Sequence, residues 1–110
     1  MTSKLLIIIS TGEREQALTA MMYSINAITK GGFEDVKIIF FGPAEQLVAD
    51  DEEIKRRAKD LAAVTECYAC KAISDRKGIS GDFENLGVKV EYVGTIISGF
   101  LKEGYVPMVW

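Results

Sequence analysis

An unbroken apolar run, Leu-Leu-Ile-Ile-Ile at residues 5–9, constrains the fold more than any other feature of the sequence. A strand whose side chains are all apolar is buried on both faces, as in a parallel sheet that helices cover on both sides. The run ends in Ser10, Thr11 and Gly12. Apolar residues then recur at helical spacing over residues 13–30, until two glycines stop the pattern. Strand, loop and helix predict the first half of a βαβ unit.

The rest of the chain repeats this alternation. Strands are predicted at residues 36–41, in the first half of 66–78, at 88–93 and at 105–110, and helices at 43–48, 52–62, in the second half of 66–78 and at 96–103. Residues 80–85 predict a loop or a single helical turn. Pro107 lacks a backbone N–H, so the last strand belongs at a sheet edge. We therefore predict one domain over residues 1–110, an α/β fold with a three-layer α/β/α sandwich and a five-stranded parallel sheet.

Composition excludes several classes of function. The 110 residues are 48% apolar, which excludes a disordered chain, and the net charge of −3 is spread evenly without a basic patch. We therefore expect no direct nucleic-acid binding. No segment resembles a signal sequence or a membrane span, so we expect a cytoplasmic protein with reduced thiols and no membrane partner.

Both cysteines lie in the segment 66–78, whose second half predicts a helix capped by Gly78. Cys70 then falls at the start of that helix, where unpaired N–H groups and the neighbouring Lys71 stabilise a thiolate. Cys70 is accordingly the predicted catalytic nucleophile. The alternative is that Cys70 packs as a small hydrophobic residue.

Cys67 is a possible resolving cysteine for Cys70. If both lie in one extended strand, their odd spacing directs them to opposite faces and no disulfide can close. A dithiol redox function would require the helix to begin before Cys67. Two cysteines without any histidine provide too few soft ligands for a closed zinc site, so no metal is expected.

Candidate binding residues follow the predicted strands, at the edge where sites of parallel sheets gather. They are Ser10, Thr11, Gly12, Gly42, Lys71 and Thr95. The loop at residues 10–12 could hold an anion at a helix N-terminus, but in such a loop Thr11 or Ser10 more often simply caps the helix. Neither a P-loop nor a G-x-G-x-x-G motif is present, and we expect no nucleotide, flavin or other cofactor.

The order of elements resembles the DsrE/DsrF-like family, which includes the YchN-like and TusD-like proteins. The similarity covers nearly the whole chain: an apolar first strand ending in a small-residue loop, a long first helix, and a cysteine closing the third strand. Gly78 follows Cys70 by eight residues and closes a basic helix, and the chain ends in an aromatic residue, Trp110.

This resemblance implies a five-stranded parallel sheet assembled into homotrimers or homohexamers. It also implies that Cys70 carries a persulfide, which it receives from a sulfur donor protein and passes to an acceptor thiol. Cys67 is an addition to the TusD-like pattern. Three functions therefore stay open: a sulfur-relay protein, a non-catalytic oligomeric module that binds a small ligand or a partner, and a dithiol redox protein.

Overall fold

The structure is a computed structural model that describes residues 3–110. Over those residues the strands are β1 (Lys4–Ile9), β2 (Asp35–Phe40), β3 (Cys67–Cys70), β4 (Lys89–Glu91) and β5 (Tyr105–Val109). The helices are α1 (Arg14–Lys30), α2 (Pro43–Asp50), α3 (Glu52–Ala62), α4 (Lys71–Lys77), α5 (Ser80–Asn85) and α6 (Val93–Lys102).

The strands form one parallel sheet in the order β4-β3-β2-β1-β5, with helices on both sides. The predicted fold is therefore confirmed. Strand β1 is an inner strand between β2 and β5, and Pro107 lies in the edge strand β5, opposite Leu6. Its missing N–H removes no bond from an inner strand.

The alternating side chains of the sheet enter two apolar layers. One layer, the main core, joins Leu5, Ile7 and Ile9 of β1 to buried residues of α1, α2, α3 and α5. The other layer, here called the α6 face, contains Leu6, Ile8, Ile39, Cys70 and Val93, with α6 packed over them. Both faces of β1 are buried, which explains why its sequence is apolar at every position.

Several predicted boundaries are wrong. Helix α6 was expected at residues 96–103 with Gly94 and Thr95 before it, but it begins at Val93 with Tyr92 as its N-cap. Val93 is buried on the α6 face, and this packing fixes the start of the helix one turn earlier than the local sequence indicates. Strand β4 has three residues, because only Lys89–Glu91 pair with β3.

The cap of α1 also differs from the prediction. Neither Ser10 nor Thr11 is the N-cap; Glu13 is, and its carboxylate accepts hydrogen bonds from the N–H groups of Glu15 and Gln16 at 3.2 and 2.6 Å. Thr11 lies two residues before this cap, and its hydroxyl oxygen accepts a hydrogen bond from the N–H of Glu13 at 3.0 Å. No helix within residues 3–110 combines the length and apolar character needed to cross a membrane.

Candidate functional site at the carboxyl edge of the sheet

Cys70 is the last residue of β3 and the N-cap of α4, as the sequence predicts. Its backbone is extended, with φ −68° and ψ 116°, and the helix begins at the next residue. The side chain enters the α6 face beside Ile39 and Val93 and is 7% exposed. The thiol therefore lies just beneath the surface, between a helix start and an apolar layer.

Helix α4 ends where Gly78 adopts the left-handed conformation with φ +69°. The N–H groups of Gly78 and Ile79 donate to the carbonyls of Asp75 and Ser74 at 3.1 and 2.9 Å, so the last carbonyls of the helix are satisfied. Buried Ser74 adds a hydrogen bond of 2.6 Å between its hydroxyl and that of Ser80. These contacts hold the short helix against the start of α5.

Lys71, which follows Cys70 in the chain, forms a salt bridge with an acid. Its ammonium group lies 2.8 Å from a carboxylate oxygen of Asp75, one turn along α4. Asp75 also accepts from the hydroxyl of Ser80 at 2.5 Å. The negative charge of Asp75, which the sequence prediction for Lys71 leaves out, offsets much of the positive charge that Lys71 would provide to the thiol.

Cys67 is on the other side of the sheet. It is 1% exposed and belongs to the main core, where its Sγ lies 3.8 Å from the carbonyl oxygen of Thr65. Burial raises the pKa of the Cys67 thiol to about 12, and nearby Lys37 only partly opposes that rise. Both cysteines are free thiols.

The loop after β1 is bound by the end of the chain. The N–H groups of Ser10 and Thr11 donate to the carbonyl oxygen of Trp110 at 2.8 and 3.1 Å, and the Ser10 carbonyl accepts from the N–H of Ala44 at 3.1 Å. The amides of Ser10 and Thr11 in the predicted anion-binding loop are thus already paired within the protein. Thr11 also donates through its hydroxyl to Gln16.

An open cavity of about 520 Å³ lies at this edge between the loops after β1 and β2 and the helices α2 and α4. Its lining consists of Gly12, Gly42, Pro43, Gln46, Leu47, Asp50, Ile73, Arg76 and Lys77. Of the predicted site residues, Gly12 and Gly42 line this cavity; Cys70, Lys71 and Thr95 do not. Thr95 is exposed in the first turn of α6, where its hydroxyl bonds to the carbonyl of Tyr92 at 3.3 Å.

Sequence reasoning missed the charged side chains of this cavity. In the sequence, Arg76 and Lys77 indicate only the last turn of a helix, where cations are favourable. The sequence predicts Asp50 or Asp51 as the cap of α3, and the structure shows that Asp51 is the N-cap. One sequence feature could have indicated these residues: the predicted helices α2 and α4 both begin at the carboxyl edge of the sheet, and both carry charged side chains.

Glu45 is a buried acid behind the cavity. Its side chain is fully buried; one carboxylate oxygen accepts from the N–H of Gly42 at 3.1 Å, and the other has no partner within the described residues. Burial raises the pKa of Glu45 to about 7, against the opposing effects of the Gly42 hydrogen bond and of Lys77 and Arg76. Within residues 3–110, no group of three His, Cys, Asp or Glu side chains could hold a metal ion.

No family model matches the sequence, and no curated protein matches it. Solved structures similar to it include two proteins of unknown function. A conserved protein of unknown function from Bacteroides thetaiotaomicron is 24% identical with a TM-score of 0.90, over 98% of this chain and 95% of that one. A protein of unknown function from Methanobacterium thermoautotrophicum is 20% identical with a TM-score of 0.74, over 98% of this chain and 99% of that one. At this level of identity, the likeness establishes the fold alone.

Proposed function

We propose that this chain is a sulfur-relay protein of the DsrE/DsrF-like kind, with Cys70 as the persulfide carrier. The observation that carries the proposal is the position of Cys70, which closes β3 at the carboxyl edge and directly precedes α4. The first amides of a helix have no partners within the helix and favour a negatively charged sulfur beside them. Sites in parallel α/β sheets gather at this edge.

The transfer needs no oxidant and no cofactor. The Cys70 thiolate attacks the outer sulfur of a donor persulfide, R–S–SH. The S–S bond of the donor breaks, the donor leaves as its thiolate, and Cys70 becomes Cys–S–SH. An acceptor thiolate then attacks the outer sulfur of Cys70 in the same way and regenerates the Cys70 thiolate.

The two cysteines differ in their suitability for this chemistry. Cys67 is enclosed in the main core with a thiol pKa of about 12, so its thiolate is scarce at neutral pH. Cys70 is also largely covered. We therefore expect small sulfane donors such as polysulfide to load the isolated chain, whereas a protein donor would have to displace part of the contact with Val93.

The direct test is intact mass spectrometry after incubation with polysulfide. The wild-type chain and Cys67→Ser should each gain a sulfur atom that a reductant removes, and Cys70→Ser should gain none. Loading of Cys70→Ser at the wild-type level, or no loading of any variant by several donors, would overturn the proposal.

The proposal includes a cytoplasmic location, sulfur donor and acceptor proteins as partners, and assembly into a homotrimer or homohexamer. Assembly is supported by large apolar side chains that stay exposed in the single chain, including Met22 at 54%, Tyr92 at 61% and Val109 at 68%. Light scattering at micromolar concentration should give a mass above that of one chain. A monomer alone would contradict the assembly.

A second candidate function is favoured by the burial of Cys70 itself. Packed among Ile39, Val93 and other apolar side chains, Cys70 could act only as part of the core of an oligomeric module that binds a small ligand or a partner. In that case iodoacetamide would modify Cys70 only at the rate at which the chain unfolds. Faster modification in the folded protein would favour the sulfur-relay function.

A further inference from the structure

The cavity between α2 and α4 has an unusual distribution of charge. One wall is positive, with Arg76 and Lys77 in the last turn of α4, and the other wall holds the carboxylate of Asp50 at the end of α2. Among the described residues, none of these three side chains forms a salt bridge. The cavity therefore presents unpaired charges of opposite sign on facing elements.

The surrounding acids leave the two cations available. Asp75, the nearest acid on α4 itself, is already paired with Lys71 at 2.8 Å. Buried Glu45 interacts electrostatically with both cations, but its pKa of about 7 means that it carries only part of a negative charge at neutral pH. An anionic group in the cavity could thus be held by Arg76 and Lys77.

The opposite wall suits a hydrogen-bond donor. The side-chain amide of Gln46 donates to both carboxylate oxygens of Asp50 at 3.1 Å, which fixes the carboxylate and leaves further lone pairs for a ligand. Between the two walls, Pro43, Leu47 and Ile73 provide apolar surface. A volume of about 520 Å³ is within the range that small organic ligands occupy.

Two glycines allow the loops at the end of the cavity near the sheet to pack closely. A Cβ atom on Gly12 would lie 3.0 Å from the Cβ of Pro43, and one on Gly42 would lie 2.9 Å from the hydroxyl oxygen of Ser10. The loops after β1 and β2 can approach each other this closely because both positions lack a side chain.

From this arrangement we infer that the cavity binds a small zwitterionic molecule, an amino carboxylate whose anionic group contacts Arg76 and Lys77 and whose ammonium group contacts Asp50. Cys70 does not line the cavity, so this site is independent of sulfur relay. The inference survives if Cys70 never carries sulfur, and its failure would leave the sulfur-relay proposal unchanged.

The test is an amide NMR titration of the full chain with three matched probes. ε-Aminocaproate carries both charged groups, caproate only the carboxylate, and hexylamine only the ammonium. We expect ε-aminocaproate to shift the amide signals of Gly12, Gly42, Arg76 and Lys77 and to bind about tenfold more tightly than either single-charge probe.

Substitutions test which side chains contact the carboxylate and which contact the ammonium group of ε-aminocaproate. Arg76→Gln combined with Lys77→Gln should weaken the binding of ε-aminocaproate about tenfold. Arg56→Gln combined with Lys59→Gln, at exposed positions of α3, removes the same charge and should leave the binding unchanged. Asp50→Asn should reduce the affinity for ε-aminocaproate to that for caproate. The affinity for caproate itself should not change. Equal affinities for all three probes, an equal loss in the control variant, or no shifts at the cavity would each overturn the inference.

Discussion

Cys67 and Cys70 are three positions apart in the chain and lie in different layers of the protein. Cys67 packs in the main core and Cys70 packs on the α6 face, because β3 directs residues at odd spacing to opposite sides. A disulfide between them would require β3 to leave the sheet.

The first prediction concerns thiol reactivity. Iodoacetamide at neutral pH should modify Cys70 before Cys67, since burial raises the pKa of Cys67 to about 12. Peptide mapping over time measures both rates in one sample. Cys67 should react only after unfolding in denaturant, and mild oxidation should give no Cys67–Cys70 disulfide. Equal rates in the folded protein would contradict the assignment of the two layers.

The second prediction concerns Gly42, whose backbone φ of +101° is rarely adopted by residues that have a side chain. Gly42→Ala should lower the free energy of unfolding by about 1–3 kcal/mol, because of backbone strain and the close approach to the Ser10 hydroxyl. The matched control is Gly81→Ala in α5, where an added Cβ meets nothing within 4 Å. There alanine should stabilise the protein by about 0.5–1 kcal/mol. Urea unfolding measures the free energy of unfolding of both variants. An unchanged free energy for Gly42→Ala would refute the backbone strain.

The third prediction concerns the buried acid Glu45. Its pKa is raised from 4.5 to about 7, so the folded state holds this proton more tightly than the unfolded state does. Its contribution to stability is therefore fully present below pH 4.5 and is lost as the pH rises toward 7, by up to about 3 kcal/mol. Glu45→Gln keeps an acceptor for the Gly42 N–H but cannot titrate.

Urea unfolding of the wild type and Glu45→Gln at a series of pH values tests this. The difference in stability between the two proteins should shift in favour of the glutamine variant as the pH rises from 5 to 8. Parallel curves would show that Glu45 does not titrate in this window.

The fourth prediction concerns Glu66, whose pKa is lowered, so that its effect on stability depends on pH in the opposite direction to that of Glu45. Hydrogen bonds from Lys89 and Lys37, at 2.5 and 3.1 Å, lower the pKa of Glu66 to about 2. Its contribution is present above pH 4.5 and is lost as the pH falls toward 2. Because these groups are partly exposed, Glu66→Gln should cost about 1 kcal/mol or less at neutral pH, and less still at high salt. A cost that does not change with salt would show that the ion pairs do not contribute.

The sequence by itself determined the sheet. The apolar run at residues 5–9 required a strand buried on both faces, and β1 is an inner strand that is buried on both faces. Pro107 required an edge, and Gly78 required the end of a helix. These features are local, because periodicity, a missing N–H and a positive φ act within a few residues of the chain.

The tertiary structure decided what the site contains. The register of β5 against β1 places the Trp110 carbonyl on the amides of Ser10 and Thr11, which the sequence left open for an anion. The start of α6 was set by the burial of Val93 on the sheet, and the cavity arose where α2 and α4 face each other across the ends of two strands. Residues far apart in the chain set these contacts, so the local sequence around Asp50, Arg76 or Lys77 does not show that they share one cavity; only the placement of α2 and α4 at the same edge of the sheet does.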